Sequence, residues 1–208
     1  RSPRLASLPA VITSIPETRL LWTKAMMAFP PQSCVHVLPP KSIQMWEPNH
    51  NTMHGSSQSP RNYRVHDSQQ MVWVLTGNTL TAVPASNNVK PVILSLIACR
   101  DTEFQDVKKG NLVFLGIKNR NLCFCCVEME GKPTLQLKEV DIMNLYKERK
   151  AQKAFLFYHG IEGSTSVFQS VLYPGWFIAT SSIERQTIIL THQRGKLVNT
   201  NFYIESEK

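Results

Sequence analysis

Three of the five cysteines stand close together, in a spacing that could hold a zinc ion. They read Cys123-x-Cys125-Cys126, whereas Cys34 and Cys99 are isolated. Side chains alternate between the faces of a strand, so Cys123 and Cys125 would share one face and Cys126 would point to the other. Cys123 and Cys126 would therefore lie on opposite faces and could not form a zinc knuckle, and no histidine stands at zinc-ligand spacing. The odd number of cysteines does not suit a disulfide framework either, so buried free thiols are predicted.

The six histidines do not form a catalytic pattern. None stands at short range from a nucleophile or from paired carboxylates, and the chain has no glycine-rich phosphate loop. The histidines are His36, His50, His54, His66, His159 and His192. Catalytic residues can converge from distant positions, so this observation lowers the expectation of an enzyme without removing it. The sequence is interpreted as that of a non-enzymatic protein without a cofactor or a metal ion.

The basic residues are spread along the chain. The formal charge is +8, and residues 1–60 contribute five Lys or Arg and two Asp or Glu, against 18 and 13 in the remainder. The densest basic run, Lys147–Lys153, contains Glu148 and no aromatic residue. This run is interpreted as a solvated loop, and nucleic acid is a weak candidate partner. A heparin-like polyanion stays open as an alternative.

The first 60 residues differ in composition from the rest. They hold nine of the thirteen prolines, and proline removes backbone donors and restricts the residue before it. Residues 1–62 are therefore predicted to be a disordered, proline-rich tail or propeptide, and residues 63–208 to be one folded domain. Met26 and Met27 lie inside the tail, so residues 1–25 are interpreted as upstream sequence.

No segment is predicted to enter or cross a membrane. Pro9 interrupts the apolar segment Leu5–Ile15 and no convincing cleavage site follows, so no secretory signal peptide is predicted. No apolar run approaches the roughly 18–20 residues of a membrane helix. The predicted free thiols and the absence of Asn-x-Ser/Thr sequons indicate a protein that folds in the cytosol.

Short apolar runs separated by turn residues follow from about Asp67 onward. They are Met71–Leu75, Thr79–Val83, Val92–Cys99, Leu112–Ile117, Leu122–Val127, Thr134–Leu137, Phe155–Tyr158, Val167–Val171, Trp176–Ala179, Thr187–Leu190 and Phe202–Ile204. Many short strands joined by tight loops predict an all-β sandwich or barrel. Only Glu139–Lys150 has helical spacing, and it is predicted to form one or two turns.

The stretch Phe168–Thr180 reads as two apolar strands joined by a tight turn. Pro174 suits the second position of a type II turn, and Gly175 can take the positive φ of the third. The spacing Phe-x-Ser-Val-x-x-Pro-x-x-Phe-Ile-Ala-Thr is similar to the C-terminal signature of the interleukin-1 cytokine family. These residues are predicted to build a hairpin and core, so the active surface must lie elsewhere.

Further segments resemble the interleukin-36 subgroup of that family. Gly131–Tyr146 carries Pro-Thr-Leu-Gln-Leu-Lys-Glu followed by Asp-Ile-Met-x-Leu-Tyr, and Ala98–Phe104, Ala151–Lys153 and Gly163–Ser170 support the same assignment. The resemblance covers the chain from about residue 63 to residue 208. It implies a β-trefoil, which is a six-stranded barrel capped by three hairpins with pseudo-threefold symmetry.

The resemblance also implies an activity. Members of this subgroup are exported without a signal peptide, bind the interleukin-36 receptor and recruit the interleukin-1 receptor accessory protein, which activates NF-κB and MAP kinase signalling. The chain is therefore expected to be a secreted, pro-inflammatory agonist that is cytoplasmic before release and monomeric when free. It is expected to need no cofactor, to bind no nucleic acid and not to insert into membranes.

Three alternatives to an agonist stay open at this point. A receptor antagonist of the same family would share the fold. A carbohydrate-binding trefoil would carry a Gln-x-Trp in each third of the domain, which this chain lacks, and a heparin-binding growth factor would need a denser basic cluster than Lys147–Lys153.

The family resemblance further implies activation by trimming. Family members gain activity when the N-terminus is cut about nine residues before an aliphatic-x-Asp motif. Val65-His66-Asp67 fits this motif, and counting back from Val65 places the new terminus at Ser56. The Ser56–Lys208 form is therefore expected to be more potent than the full chain.

Receptor contacts are expected in exposed loops, because function in such a cytokine lies in loops on a rigid barrel. The candidates are Asp67, Gln69 and Gln70 near the first strand, the turn of Lys118, Asn119, Arg120 and Asn121, Glu184 and Arg185 in the loop Ile183–Gln186, and Arg194 and Lys196 in the loop Arg194–Asn199. Arg120 and Arg185 are favoured, since arginine is enriched among interface hot spots. Trp73 and Trp176 are predicted to be core residues instead.

Overall fold

The computed structural model describes residues 58–195 and 197–208. Within these residues the chain forms thirteen strands, one short α-helix and one 3-10 turn. The strands are β1 (Arg61–Asp67), β2 (Met71–Thr76), β3 (Thr79–Pro84), β4 (Leu94–Ala98), β5 (Asn111–Ile117), β6 (Leu122–Met129), β7 (Lys132–Glu139), β8 (Leu156–Glu162), β9 (Thr165–Ser170), β10 (Phe177–Ser181), β11 (Ile189–Thr191), β12 (Val198–Asn199) and β13 (Phe202–Ser206). The predictions of a new terminus at Ser56 and of a receptor contact at Lys196 lie outside the described residues, as do residues 1–57 of the predicted tail, whereas Arg61 and Asn62 of that tail belong to β1.

Six of the strands close into a barrel. β1 pairs with β4, β4 with β5, β5 with β8, β8 with β9, β9 with β13, and β13 returns to β1, always antiparallel. Each of these strands has a partner on both sides, so the ring has no free edge. The last strand, β13, lies beside the first from Tyr63 opposite Ser206 to Asp67 opposite Phe202.

Three hairpins, β2–β3, β6–β7 and β10–β11, are attached to this barrel. Between β9 and β10, Gly175 has a φ of +81° and the Trp176 amide donates to the Tyr173 carbonyl at 3.1 Å. This geometry confirms the turn predicted at Pro174 and Gly175. A six-stranded barrel with three hairpins is a β-trefoil, so the predicted fold is confirmed.

The core lies where the hairpins meet the barrel. Trp73, Phe124 and Ile178 each come from the first strand of a hairpin, and none is more than 1% exposed. The Trp73 ring packs edge-on against Phe202 of β13, with the ring centroids 5.2 Å apart. Burial of Trp73 confirms one predicted core residue, whereas Trp176 is only partly buried against the same cluster.

The cysteines of β6 face two different apolar clusters. Cys126 belongs to the barrel core with Phe124, whereas Cys123 packs in a second cluster with Leu145. Burial raises the pKa of both thiols to about 12, so they remain protonated at neutral pH. The prediction of buried free thiols is confirmed for Cys123, Cys125 and Cys126.

The helix α1 (Ile142–Lys147) is a short cap on the second apolar cluster. Its N-terminus is capped by Asp141, whose Oδ1 accepts a hydrogen bond from the Met143 amide at 2.8 Å. Leu145 is the helical residue that becomes fully buried. A 3-10 turn (Lys153–Phe155) then leads into β8. No helix in the described part of the chain is long and apolar enough to cross a membrane.

The strand β1 was not predicted from the sequence. Ordered strands were expected from the sequence only from about Asp67 onward. Only Val65 and Asp67 of its seven residues are buried, so it has no clear apolar alternation. The neighbouring strands β4 and β13 hold its backbone on both sides. Cross-strand pairing therefore makes it a strand, and the ordered barrel begins at Arg61 instead.

Candidate receptor-binding surfaces

The turn between β1 and β2 is organised by the carboxylate of Asp67. Its Oδ1 accepts hydrogen bonds from the amides of Gln69 and Met71, each at 2.9 Å, and its Oδ2 accepts one from the Thr180 hydroxyl at 2.7 Å. Asp67 is 0% exposed, which argues against the expected receptor contact by its side chain. Its three internal donors give it a structural role in presenting the turn.

The tip of this turn is exposed, as predicted for Gln69 and Gln70. Gln70 has a left-handed φ of +59°, and its carbonyl accepts a hydrogen bond from the Ala85 amide at 3.0 Å. On the other side, Asn199 Nδ2 donates to Ser68 Oγ at 2.9 Å. Hydrogen bonds with Ala85 and Asn199 therefore hold the turn that carries the two glutamines.

The loop Ile183–Gln186 lies against β3, the strand that ends just before Ala85. The Arg185 amide donates to the Ala82 carbonyl at 2.8 Å, and the Ala82 amide donates to the Gln186 carbonyl at 3.0 Å. Glu184 and Arg185 are both exposed. We call residues 68–70 and 183–186 together the first surface.

A second surface surrounds the turn between β5 and β6, and we define it as residues 118–121 with Lys90 and Glu207. Asn119 takes a left-handed φ of +61°, and the Arg120 amide donates to the Ile117 carbonyl at 3.1 Å. Lys118 forms an ion pair with Glu207 near the C-terminus. A groove of about 620 Å³ runs between this turn and Lys90. Asn119, Arg120 and Asn121 are exposed, as predicted.

The two surfaces are attached to β1 at different residues. The first surface follows Asp67 directly, whereas Glu207 of the second donates its amide to the Asn62 carbonyl at 2.9 Å. The distance from Asn62 to Asp67 along the strand is about 17 Å at roughly 3.3 Å per residue. One rigid strand therefore fixes the spacing between them.

Arg194 is exposed, but its side chain is fixed by contacts within the molecule. Its guanidinium makes a two-point contact with Glu162 at 2.8 and 2.6 Å, its Nε donates to Thr200 at 2.9 Å, and its Nη2 donates to Asn201 at 3.3 Å. It also lies over the Phe177 ring, 4.6 Å from the centroid. These contacts favour a role in fixing the β11–β12 loop over the predicted role in binding.

Replacing Arg194 by lysine is expected to lower the free energy of unfolding by about 0.5–1 kcal/mol at pH 7, because the two-point contact is lost and both groups are partly solvated. Hydrogen bonds from Arg194 and Asn201 hold the pKa of Glu162 below its ordinary value. A depressed carboxyl pKa stabilises the fold above the unfolded value and stops doing so as the pH falls through the folded value. Urea unfolding should therefore show a larger penalty at pH 7 than at pH 3.

A matched control for this measurement is Lys132→Gln, since Lys132 is exposed and forms no ion pair among the described residues. It should leave the urea midpoint unchanged at both pH values. An equal loss for Arg194→Lys at pH 3 would contradict the assignment of the effect to Glu162.

One histidine and serine pair comes together without forming a catalytic site. His159 Nε2 lies 2.8 Å from Ser166 Oγ, but Ser166 is only 3% exposed and the imidazole stacks on Phe168. Burial lowers the pKa of His159, so the ring is neutral at pH 7. No carboxylate orients the imidazole in the described residues. The pair satisfies buried polar groups between β8 and β9.

Sequence reasoning missed the partners that complete these surfaces. Glu207 is 89 positions from Lys118, and Glu162 is 32 positions from Arg194. No local spacing signals such contacts, because they depend on which strands become neighbours. Val65, the aliphatic residue of the trimming motif, is 4% exposed and also has a packing role.

The sequence matches a family model described as Interleukin-1 / 18 over residues 84–204. Human interleukin-36 alpha is 44% identical over 144 residues, which is 69% of this chain and 91% of that protein. Human interleukin-36 beta is 62% identical over 80 residues, covering 38% of this chain and 49% of that protein.

Solved structures agree with the sequence matches. The NMR structure of the pro-inflammatory cytokine interleukin-36alpha has a TM-score of 0.63 and 42% identity, over 74% of this chain and 99% of that one. The crystal structure of chicken interleukin 1 beta has a TM-score of 0.62 and 27% identity, over 71% and 96%. These relatives are signalling ligands without enzymatic activity. The chain belongs to the interleukin-1 family of cytokines and is of the interleukin-36 type.

Proposed function

We propose that this chain is an agonist of the interleukin-36 receptor. In this proposal it binds that receptor, recruits the interleukin-1 receptor accessory protein and activates NF-κB and MAP kinase signalling. It acts outside the cell as a monomer, after export without a signal peptide. Membership of the interleukin-36 type supports the receptor class, and two separate exposed surfaces on one barrel support a ligand that joins two chains.

The separation of the two surfaces is the observation that carries the proposal. A stable protein contact buries about 1,200–2,000 Å² in total, so two receptor chains need two distinct areas on a small domain. The first surface follows Asp67 of β1, whereas Glu207 of the second surface is bonded to Asn62, and each surface contains one exposed arginine, Arg185 or Arg120. Both arginines belong to turns whose backbones are hydrogen-bonded to neighbouring strands. Such preorganised loops lose little entropy on binding.

Trimming of the N-terminus at Ser56 is part of the same proposal. The ordered barrel starts at Arg61, so the new terminus would precede it by only a few residues. The Asn62 carbonyl is bonded to Glu207, which places the entry of the chain beside the second surface. A receptor that contacts this end of the barrel would then not have to accommodate the residues before Ser56.

The test is an NF-κB reporter in cells that carry the interleukin-36 receptor and the accessory protein. The Ser56–Lys208 form is applied alone and then together with a known agonist. A signal from the protein alone supports the proposal. Silence with blockade of the other agonist would instead identify an antagonist, and silence without blockade would reject both functions.

Charge reversal then tests the two surfaces separately. Arg120→Glu and Arg185→Glu are each expected to raise the half-maximal concentration about tenfold or more, since an arginine hot spot contributes at least that much. Lys132→Glu is the matched control, because it makes the same charge change at an exposed residue outside both surfaces. If all three variants lose equal potency, the two-surface model is wrong.

A further inference from the structure

The fold joins two basic segments that are far apart in sequence. One segment contains Arg100, Lys108 and Lys109, and the other contains Lys147, Arg149, Lys150 and Lys153. We call these seven cations the basic face. All of them are exposed except Lys109, which is partly exposed.

Specific contacts hold the two segments together. Arg100 donates from Nε to the Tyr146 carbonyl at 3.0 Å and from Nη2 to the Lys147 carbonyl at 3.1 Å. Asp101 accepts a hydrogen bond from the Ala151 amide at 2.9 Å. These bonds fix the start of the first segment against the second. The basic run is therefore attached to the barrel at several points.

Aromatic rings lie beneath several of the cations. The Lys153 ammonium is 4.6 Å from the centroid of the Phe104 ring, and the Tyr158 hydroxyl donates to the Phe104 carbonyl at 2.6 Å. Lys109 lies 5.3 Å from the centroid of the Tyr158 ring. A cation held on a ring face keeps its charge and loses less freedom when an anion binds.

The carboxylates on this face leave most of its cations without an ion pair. Four acidic residues belong to the two segments, namely Asp101, Glu103, Asp106 and Glu148. Among the described residues, only Lys109 of the basic face forms an ion pair, with Asp106 at 3.4 Å. Asp101 accepts from backbone amides, and Glu148 accepts from the side chain of Gln152. The other six cations have no carboxylate partner among the described residues, and of these Arg100 already donates to two backbone carbonyls.

We propose that the basic face binds a sulfated polysaccharide chain. A flexible polyanion can meet several separate exposed cations and release counterions from each, which gives salt-sensitive affinity. Single-stranded nucleic acid gains much of its affinity from base stacking, but Phe104, Tyr146 and Tyr158 are already covered by cations and partly or fully buried. An anionic membrane would need an apolar patch, and Val107 is the one strongly exposed large apolar residue of these two segments. This proposal does not depend on receptor agonism.

The test compares elution of the full-length chain from heparin resin and from sulfopropyl resin in a sodium chloride gradient. The test variant changes Lys147, Arg149, Lys150 and Lys153 to glutamine. The control variant changes Arg64, Lys90, Lys132 and Lys138 to glutamine, which removes the same charge from exposed residues elsewhere. Loss of four contacts should weaken heparin binding about 10- to 100-fold in the test variant at constant salt.

The expected result is later elution of the unmodified chain from heparin than from sulfopropyl resin, and loss of that difference in the test variant alone. Equal losses in the two variants would mean that only net charge matters and would overturn the proposal. Competition provides a second readout. Equal competition by desulfated heparin or by single-stranded oligothymidylate, or equal binding to phosphatidylserine vesicles, would also overturn it. Circular dichroism of both variants confirms that a loss does not come from unfolding.

Discussion

Removal of residues 1–55 is expected to lower the half-maximal concentration in the reporter assay by about 100-fold. A receptor whose contact extends from the Arg61 end of β1 past Ser56 would have to order or displace residues before Ser56. Ordering two or three residues costs about 3 kcal/mol, which corresponds to about 100-fold in affinity. The new α-amino group, with a pKa of about 7.7–8.0, would also add a cation near the second surface.

The measurement compares the full chain, the Ser56–Lys208 form and forms that begin one residue earlier or later. The few residues between Ser56 and Arg61 span at most about 18 Å when extended, so the amino group can reach the second surface. N-terminal acetylation of the Ser56–Lys208 form separates the effect of the charge from that of the tail. Equal potency of the full and trimmed chains would show that trimming does not activate this protein.

Local sequence patterns predicted the parts of the fold that are marked by apolar runs or by a turn residue. The hairpin strands β2 and β10 contain the buried residues Trp73 and Ile178 within apolar runs. The turn before β10 needs a positive φ, which glycine adopts readily at Gly175. β1 escaped prediction because β4 and β13 stabilise its backbone, while five of its seven side chains are not buried. Its assignment required knowledge of its neighbours.

Candidate surfaces were predictable only as exposed turns. Arg120 and Arg185 are exposed as expected, yet their flanking sequence could not show which strands hold their turns. Arg194 has the same residue type and also lies in a loop, but Glu162, Thr200 and Asn201 occupy its donors. An arginine in a loop can therefore bind a receptor or hold the loop to the rest of the protein. Which of the two it does depends on whether residues distant in sequence occupy its donors.

Replacing Asp67 by alanine is expected to lower the free energy of unfolding by about 3–5 kcal/mol, because three donors, two of them in buried hydrogen bonds, would lose their shared acceptor. Two of the donors are the amides of Gln69 and Met71, and the third is the Thr180 hydroxyl. Asp67→Asn should cost less, since the remaining carbonyl oxygen can still accept and the hydroxyl of Thr180 can reorient. Urea unfolding measures both changes.

A good control for Asp67 is Asp106→Ala, because Asp106 also accepts an amide two residues ahead but lies partly in solvent. Its penalty should stay below about 1 kcal/mol, since water can replace the lost acceptor. Thr180→Val removes only the third donor and should cost about 1–2 kcal/mol, with a smaller cost when Asp67 is already alanine. If Asp67→Ala cost no more than Asp106→Ala, the buried carboxylate would not hold the turn. A direct receptor contact would then be the remaining explanation for Asp67 in the trimming motif. The complete burial of Asp67 argues against that explanation.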